Sequence, residues 1–417
     1  MARNIFRNGR RILNAVLLLP ALLMSTNTFA NELLDLVEQR LGYMKDVAAY
    51  KWQRDLPIEN RERENVVLVA AVQTGLRFKL TKGSSRHFFE VQIDAAKEVQ
   101  NYWYEQWRQN PEAVPTGSVD LDGKVRPALI NLGERISAEL AREPSSLTQM
   151  SIKGLSNAAV LSLDNAARAI EVYPDQLSQV LDSGVLRVGT TGDYAPFSHR
   201  PGSTSDSNST QWTGIDIDLA HNLALFLDVE ILWVHTSWPK LMNDLHSGHY
   251  DIGMSGISIT PKRLKTAFFS TPYHSGGKTP IIRCSDRGRY SSLQNIDLPT
   301  TRLIVNPGGT NQKFVNSNIH RAMILVHNDN RSIFDELIMD RADVMITDQI
   351  EVQLQVGQHP ELCAAMREET LTFSQKAFLL PQDKAWKNYI DNWLGSRLQS
   401  GLVKQRFDAH LSARGDI

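Results

Sequence analysis

The strongest constraint on this chain is a change of period at Tyr173 and Pro174. Before it, apolar residues recur every three to four positions; after it, short β-branched runs alternate with helical stretches. A helical stripe and a strand–helix alternation bury their apolar faces against different partners. A chain holding both therefore needs at least two cores, and 417 residues suffice for two or three domains. The expected division is a leader over 1–30, an all-α bundle over 31–172 and an α/β domain over 173–417.

The leader follows from order and charge. Arg3, Arg7, Arg10 and Arg11 precede an apolar run from Ile12 to Met24, then small residues ending at Ala30. That is the pattern of a cleavable secretory signal peptide, and its apolar part is shorter than the roughly 20 residues that span a bilayer. The expectation is a periplasmic protein with no membrane attachment after cleavage. Losing four arginines leaves 41 basic against 46 acidic side chains, a formal charge of −5. Such a balance excludes a nucleic-acid partner. The two cysteines, Cys284 and Cys363, are expected to pair in an exported chain, closing a loop of roughly 80 residues nominally worth about 4 to 5 kcal/mol.

In the first domain Leu33, Leu36, Val37, Leu41, Met44, Val47 and Ala48 form one helical stripe, bounded by Pro57. Further helices are expected from near Glu59, over 88–108, over 127–140 and from Ser151 to about Val172. Polar residues interrupt this pattern. Arg40 and Lys51 are 11 positions apart, so on one helix they share a face about 16 Å apart along the axis. Arg63 follows in the next helix and Gln100 breaks the apolar face of the third. Singly, each reads as a solvated side chain.

Together, Arg40, the segment 47–52, the segment 56–60, Arg63, Glu64, Gln92 and Ile93 form an ordered series over residues 31–166. It resembles the all-helical (AroQ-class) chorismate mutases of the exported subclass. The resemblance implies Arg40 and Arg63 gripping carboxylates, Lys51 on the ether oxygen and Gln100 meeting that oxygen from the other side. Arg126 is implied as a second carboxylate clamp, and Asn60 and Glu64 as contacts to the substrate hydroxyl. Chorismate rearranges to prephenate without nucleophile or proton transfer, so catalysis consists of holding a compact conformer and stabilising charge on the ether oxygen. Ala96 departs from the relatives that carry a hydroxyl residue there, which removes a secondary contact.

The second domain reads as two α/β sets. Strands are expected at 185–189, 229–234, 251–257, 279–284, 302–305, 322–327 and 342–348, with a returning strand at 376–381. The stretch 201–210 is a serine-rich loop by composition. Thr260 before Pro261 reads as an N-cap with proline in the first turn. Arg263 then sits beside free N–H groups and the hydroxyls of Ser255 and Ser258, a cluster suited to a carboxylate. A second glycine-rich turn, 306–311, opens another helix.

This order resembles the periplasmic binding protein type II fold, with two lobes (180–277 plus 382–417, and 279–375) and two crossings between them. The words at 190–194, 236–239, 254–259, 277–281, 305–311, 346–348 and 359–363 resemble, more specifically, the periplasmic cyclohexadienyl dehydratases. That resemblance implies dehydration and decarboxylation of prephenate or arogenate to phenylpyruvate or phenylalanine, and it strengthens the Cys284–Cys363 pairing. It implies Arg263, Ser258 and Thr310 as a carboxylate hold assisted by Lys278 and Asn311, with Tyr194 and Trp238 walling the ring. Asp193, His274 and Asp348 stand as candidate acids or orienters; the position of Asp348 holds the ligand amine in amino-acid receptors. One departure stands out: Gln312 occupies a place where a glutamate general acid is expected, and an amide cannot give a proton.

The reading is an exported bifunctional mutase–dehydratase of phenylalanine biosynthesis, using no cofactor and no metal, with homodimerisation implied only by resemblance. The alternative, favoured by Gln312 alone, is a mutase fused to a non-catalytic binding or sensor module.

Overall fold

The computed structural model describes residues 32–142, 146–201, 212–366 and 369–412. The expected signal peptide and most of the expected serine-rich loop lie outside them. No helix among the described residues is long and apolar enough to cross a membrane.

The first domain is a helical bundle: α1 (Glu32–Gly42), α2 (Met44–Trp52), α3 (Arg61–Arg77), α4 (Lys82–Gln109), α5 (Arg126–Leu140) and α6 (Asn157–Arg168). Its core is built from Leu36, Val37, Leu80, Phe88, Phe89, Ile136 and Leu163, all buried. The expected first helix is broken at Tyr43, because its two halves face different neighbours: Arg40 reaches α5, while Met44 reaches Gln100 of α4. The third helix begins six residues earlier than expected, at Lys82, since Thr81 caps it by accepting from Ser84 N. The last helix is shorter than expected, capped by Ser156 and ended before Val172, which instead bridges Leu80.

The second domain has two five-stranded sheets. One orders Glu230–His235, β1 (Val185–Thr190), Ile252–Gly253, Leu379–Leu380 and Phe268–Phe269; the other orders Met323–Val326, Arg302–Val305, Val344–Asp348, Lys278–Arg283 and Leu362–Ala364. The strands His274–Gly276 and Ser374–Lys376 pair with each other and carry the chain between lobes. The expected returning strand is thus two strands, one in the crossing and one in the first sheet. Cys284 and Cys363 are disulfide-bonded in the second lobe, with Cα atoms 5.0 Å apart.

The bundle docks on the first lobe through the C-terminal end of α3. Gln179 Nε2 donates to Leu76 O at 2.7 Å, Arg77 Nε to Ser247 O at 3.2 Å, and Lys79 pairs with Asp383 at 3.0 Å. Gly248 has φ +65° and a Cβ there would lie 2.2 Å from Arg77 O, so only glycine lets the domains approach this closely. This interface lies where β1 begins: Gly248 accepts from Arg187 on β1, and Arg187 pairs with Asp251. The cleft between lobes lies at the opposite, C-terminal ends of the strands.

Candidate functional site

A cavity of about 340 Å³, counting its open mouth, lies between the lobes. The first lobe supplies it with Tyr194, Trp238, Gly256, Ser258 and Arg263, the second with Asn306, Gly309, Thr310, Asn311, Asn330 and Asp348, and the crossing strand with Lys376. Thr260 caps the short helix Pro261–Leu264 and accepts from Arg263 N. Arg263 is 5% exposed, donates to Ser258 O at 2.8 Å, and burial brings its pKa down to about 10. A buried guanidinium with only a carbonyl partner is a site for an anion. Gly256 has φ +61° and packs on Phe197, which brings its backbone to the cavity wall; Asp216 accepts from its N–H at 2.7 Å and fixes that turn.

Opposite Arg263 is a buried charge cluster. Asp348 Oδ1 accepts from Lys278 at 2.8 Å; Oδ2 accepts from Lys376 at 2.6 Å and from the Tyr194 hydroxyl. Burial alone would raise the Asp348 pKa, but Lys376 and Lys278 hold it well below the usual carboxylate range. Lys376 also donates to Ser258 Oγ at 2.9 Å, and burial lowers its pKa. The sequence reading missed Lys376, because nothing local distinguishes a lysine on a crossing strand from a solvated one.

The second missed residue is Glu351, on the first turn of the helix Gln349–Gln358, one side chain behind the cavity wall. It is 2% exposed and meets Asn330 Nδ2 at 3.5 Å and the Thr347 hydroxyl. Burial pushes its pKa up to about 8; the Thr347 hydrogen bond opposes this and the Asp348 charge adds to it. Glu351 is therefore a protonated acid at neutral pH. Its spacing from Asp348, at i+3, was the available signal.

Several expected residues stand elsewhere. Gln312 turns back so that its Oε1 accepts from Gly308 N at 2.8 Å; it braces the glycine-rich turn rather than facing substrate. Ser255 is spent on Thr191 and Ser198 hydroxyls at 2.7 and 2.6 Å and does not line the cavity. Asp193 accepts from Trp238 Nε1 at 3.1 Å, holding that ring against Tyr194, and burial raises its pKa. His274 stacks on Phe407 at 5.2 Å and lines a smaller recess on the hinge side of Asp348 and Lys376. Burial first, then the Lys376 charge, lowers its pKa. Lys278 stands behind Asn311, to whose Oδ1 it donates at 2.5 Å.

In the bundle, Arg40 donates to Leu129 O and has no acidic partner among the described residues; burial brings its pKa down to about 10. Lys51 Nζ donates to Ile58 O at 2.6 Å, and burial lowers its pKa against the opposing charge of Glu64. Gln100 is 5% exposed, donates to Ala96 O at 3.1 Å, and leaves its Oε1 buried and unpartnered. Asn60 and Glu64 cap α3 reciprocally: Asn60 Oδ1 accepts from Arg63 N at 2.8 Å, and Glu64 accepts from Asn60 N at 3.0 Å. Arg63 lies exposed in the first turn of α3, and Arg126, the first residue of α5, pairs with exposed Asp122 just before that helix. The end of α2 and the start of α3 thus bring Lys51, Asn60 and Glu64 together, at the end of α3 remote from the second domain, while Gln100 lies within α4.

Two α/β lobes joined by paired crossing strands, with a cavity lined by buried Arg263 between them, define the second domain as a solute-binding fold. Residues 186–413 match the bacterial extracellular solute-binding proteins, family 3, and the chain belongs to that family. Residues 25–101 match chorismate mutase type II. The chain is 46% identical over 249 residues to a cyclohexadienyl dehydratase of Pseudomonas aeruginosa, covering 60% of this chain and 91% of the relative. It is 34% identical over 108 residues to a secreted chorismate mutase of Yersinia pestis, which covers 26% of this chain and 57% of that relative's length. Among solved structures, an ancestral amino-acid-binding protein described as a precursor of cyclohexadienyl dehydratase superposes with a TM-score of 0.51 at 30% identity, covering 57% of this chain and 99% of the other.

Proposed function

We propose that the chain is an exported, periplasmic bifunctional enzyme that rearranges chorismate to prephenate in the bundle and converts prephenate to phenylpyruvate in the cleft. The domain division at about 172 and the cleavable leader belong to this reading, supported by the secreted mutase relative and the extracellular family. The observation that carries it is buried Glu351, its pKa raised by burial, which lies against cavity-lining Asn330 behind a wall that also holds Arg263 and an Asp348 already paired with two lysines. A receptor for amino acids needs an ionised carboxylate for the ligand amine; a dehydratase needs an acid that still carries its proton.

In the bundle, Arg40, Arg63 and Arg126 take the substrate carboxylates, Asn60 and Glu64 its hydroxyl, and Lys51 with Gln100 the ether oxygen. In the cleft, Arg263, Ser258 and Thr310 hold one carboxylate while Tyr194 and Trp238 bracket the ring. The Glu351 proton passes to the ring hydroxyl oxygen and the C–O bond breaks. The electrons of the bond to the ring carboxylate move into the ring, and water and CO2 leave as the ring becomes aromatic. Glu351 regains its proton from solvent.

The cleft also sets substrate charge. Both Asp348 oxygens are occupied by lysines and Tyr194, leaving no carboxylate for a substrate ammonium. Prephenate is therefore converted with a kcat/KM about tenfold or more above arogenate, the loss tied to a desolvated ammonium without an acceptor. Equal values for the two substrates would contradict this assignment. Because the acid must be protonated, dehydratase kcat/KM holds steady below about pH 8 and falls tenfold per unit above it. A profile flat to pH 10 would remove Glu351 from the reaction.

The test of the whole reading feeds the protein chorismate alone and follows chorismate loss and phenylpyruvate formation separately, without acid quench. The sites face opposite ends of the molecule: α3 interposes about 24 Å and β1 about 17 Å. Prephenate is thus expected to appear transiently in bulk solution before phenylpyruvate rises. Prephenate accumulating without further conversion sinks the dehydratase reading.

A further inference from the structure

Asn330 lies in the loop after the strand Met323–Val326, is 4% exposed and lines the cavity. Its Nδ2 donates to Asp193 O at 2.8 Å, across the lobes, and approaches Glu351 Oε1 at 3.5 Å. A carbonyl oxygen only accepts, so this contact fixes which end of the amide is nitrogen. Asn330 Oδ1 is then left buried without any partner. Every other side-chain amide or carboxylate oxygen on the cavity wall has a donor: Asn306 Oδ1 takes Asn311 Nδ2, Asn311 Oδ1 takes Lys278, and Asp348 takes both lysines.

Prephenate carries two carboxylates and a ketone, which only accept, and a single donor, its ring hydroxyl. Among the amide and carboxylate oxygens of the wall, one vacant acceptor therefore meets a substrate with one donor. Resting on the dehydratase reading above, we propose that Asn330 Oδ1 receives the hydrogen of the substrate's leaving hydroxyl. That bond turns an oxygen lone pair towards Glu351, whose carboxyl lies against the same amide. Because Nδ2 is bonded across the lobes, the acceptor is in position only when the cleft is shut. Asn330 is in this sense a specificity residue for a hydroxylated ring, and it ties departure of the hydroxyl to closure.

The test uses two saturated-ring analogues of prephenate, one with the 4-hydroxyl and one without, neither of which can aromatise. Their dissociation constants are measured by calorimetry on the whole chain and on Asn330→Leu. The unaltered chain should bind the hydroxylated analogue about tenfold more tightly, and Asn330→Leu should bring the two within about twofold. If Asn330 served only to latch the lobes, the substitution would weaken both analogues alike and keep their ratio, which overturns the proposal. No preference for the hydroxyl in the unaltered chain overturns it independently of any variant. Chorismate mutase rate reports folding of the variant chain. Failure of the unaltered chain to convert prephenate would count against the dehydratase reading, while the binding ratio still decides the role of Asn330.

Discussion

Glu351→Gln should lower dehydratase kcat by about 10²- to 10⁴-fold, the range for loss of a positioned general acid, while chorismate mutase activity on the same protein stays unchanged. The substitution is nearly isosteric and keeps an oxygen for Thr347, so the buried pocket loses a proton and little packing. It also removes the group that burial pushes up to about 8, so any residual rate should lose its alkaline limb. The kcat–KM split decides between roles. A proton donor lowers kcat and leaves prephenate affinity near its original value, whereas a misfolded cleft raises KM as well. Glu351→Gln with an unaltered kcat would return the search to Asp193 and Asp216, two further acids beside the cleft whose pKa burial raises.

Lys51→Ala should lower mutase kcat/KM by about 10²- to 10³-fold, the cost of removing one donor from developing oxyanion charge, with prephenate conversion by the second domain untouched. Lys51 is half-buried at the end of α2 and donates only to Ile58 O, a contact whose loss costs little stability. Gln100, buried in α4 with an unpartnered Oε1, is the second oxygen-facing group of the proposed mutase site. A glutamine donates at any pH, so mutase activity should not acquire an acid-only profile, and the two activities should separate cleanly above pH 8. Assaying both substrates on one sample gives each variant an internal control for folding.

The sequence alone determined the two-domain plan. Helical period before Tyr173 and strand–helix alternation after it reflect which faces must be buried, and that demand is local. It also identified residues that begin a helix: Thr260 before Pro261 and Arg263, and the glycine-rich turn before Thr310. Capping and turn chemistry act over three or four residues, so they are visible without the fold. The pairing of Cys284 with Cys363 needed only their number and the export pattern.

Tertiary structure decided the chemistry of individual side chains. Glu351 and Lys376 are ordinary charged residues in sequence; their protonation is shifted because helix Gln349–Gln358 and the crossing strand bury them beside Asp348. Gln312 and Ser255 had suitable chemistry and adjacent positions, but one folds back on Gly308 and the other joins a hydroxyl cluster. The vacant oxygen of Asn330 exists only because Asp193, 137 residues away, occupies its nitrogen. Desolvation and hydrogen-bond saturation are sums over neighbours from several elements, so they are set by how the two lobes meet and not by any one stretch of chain.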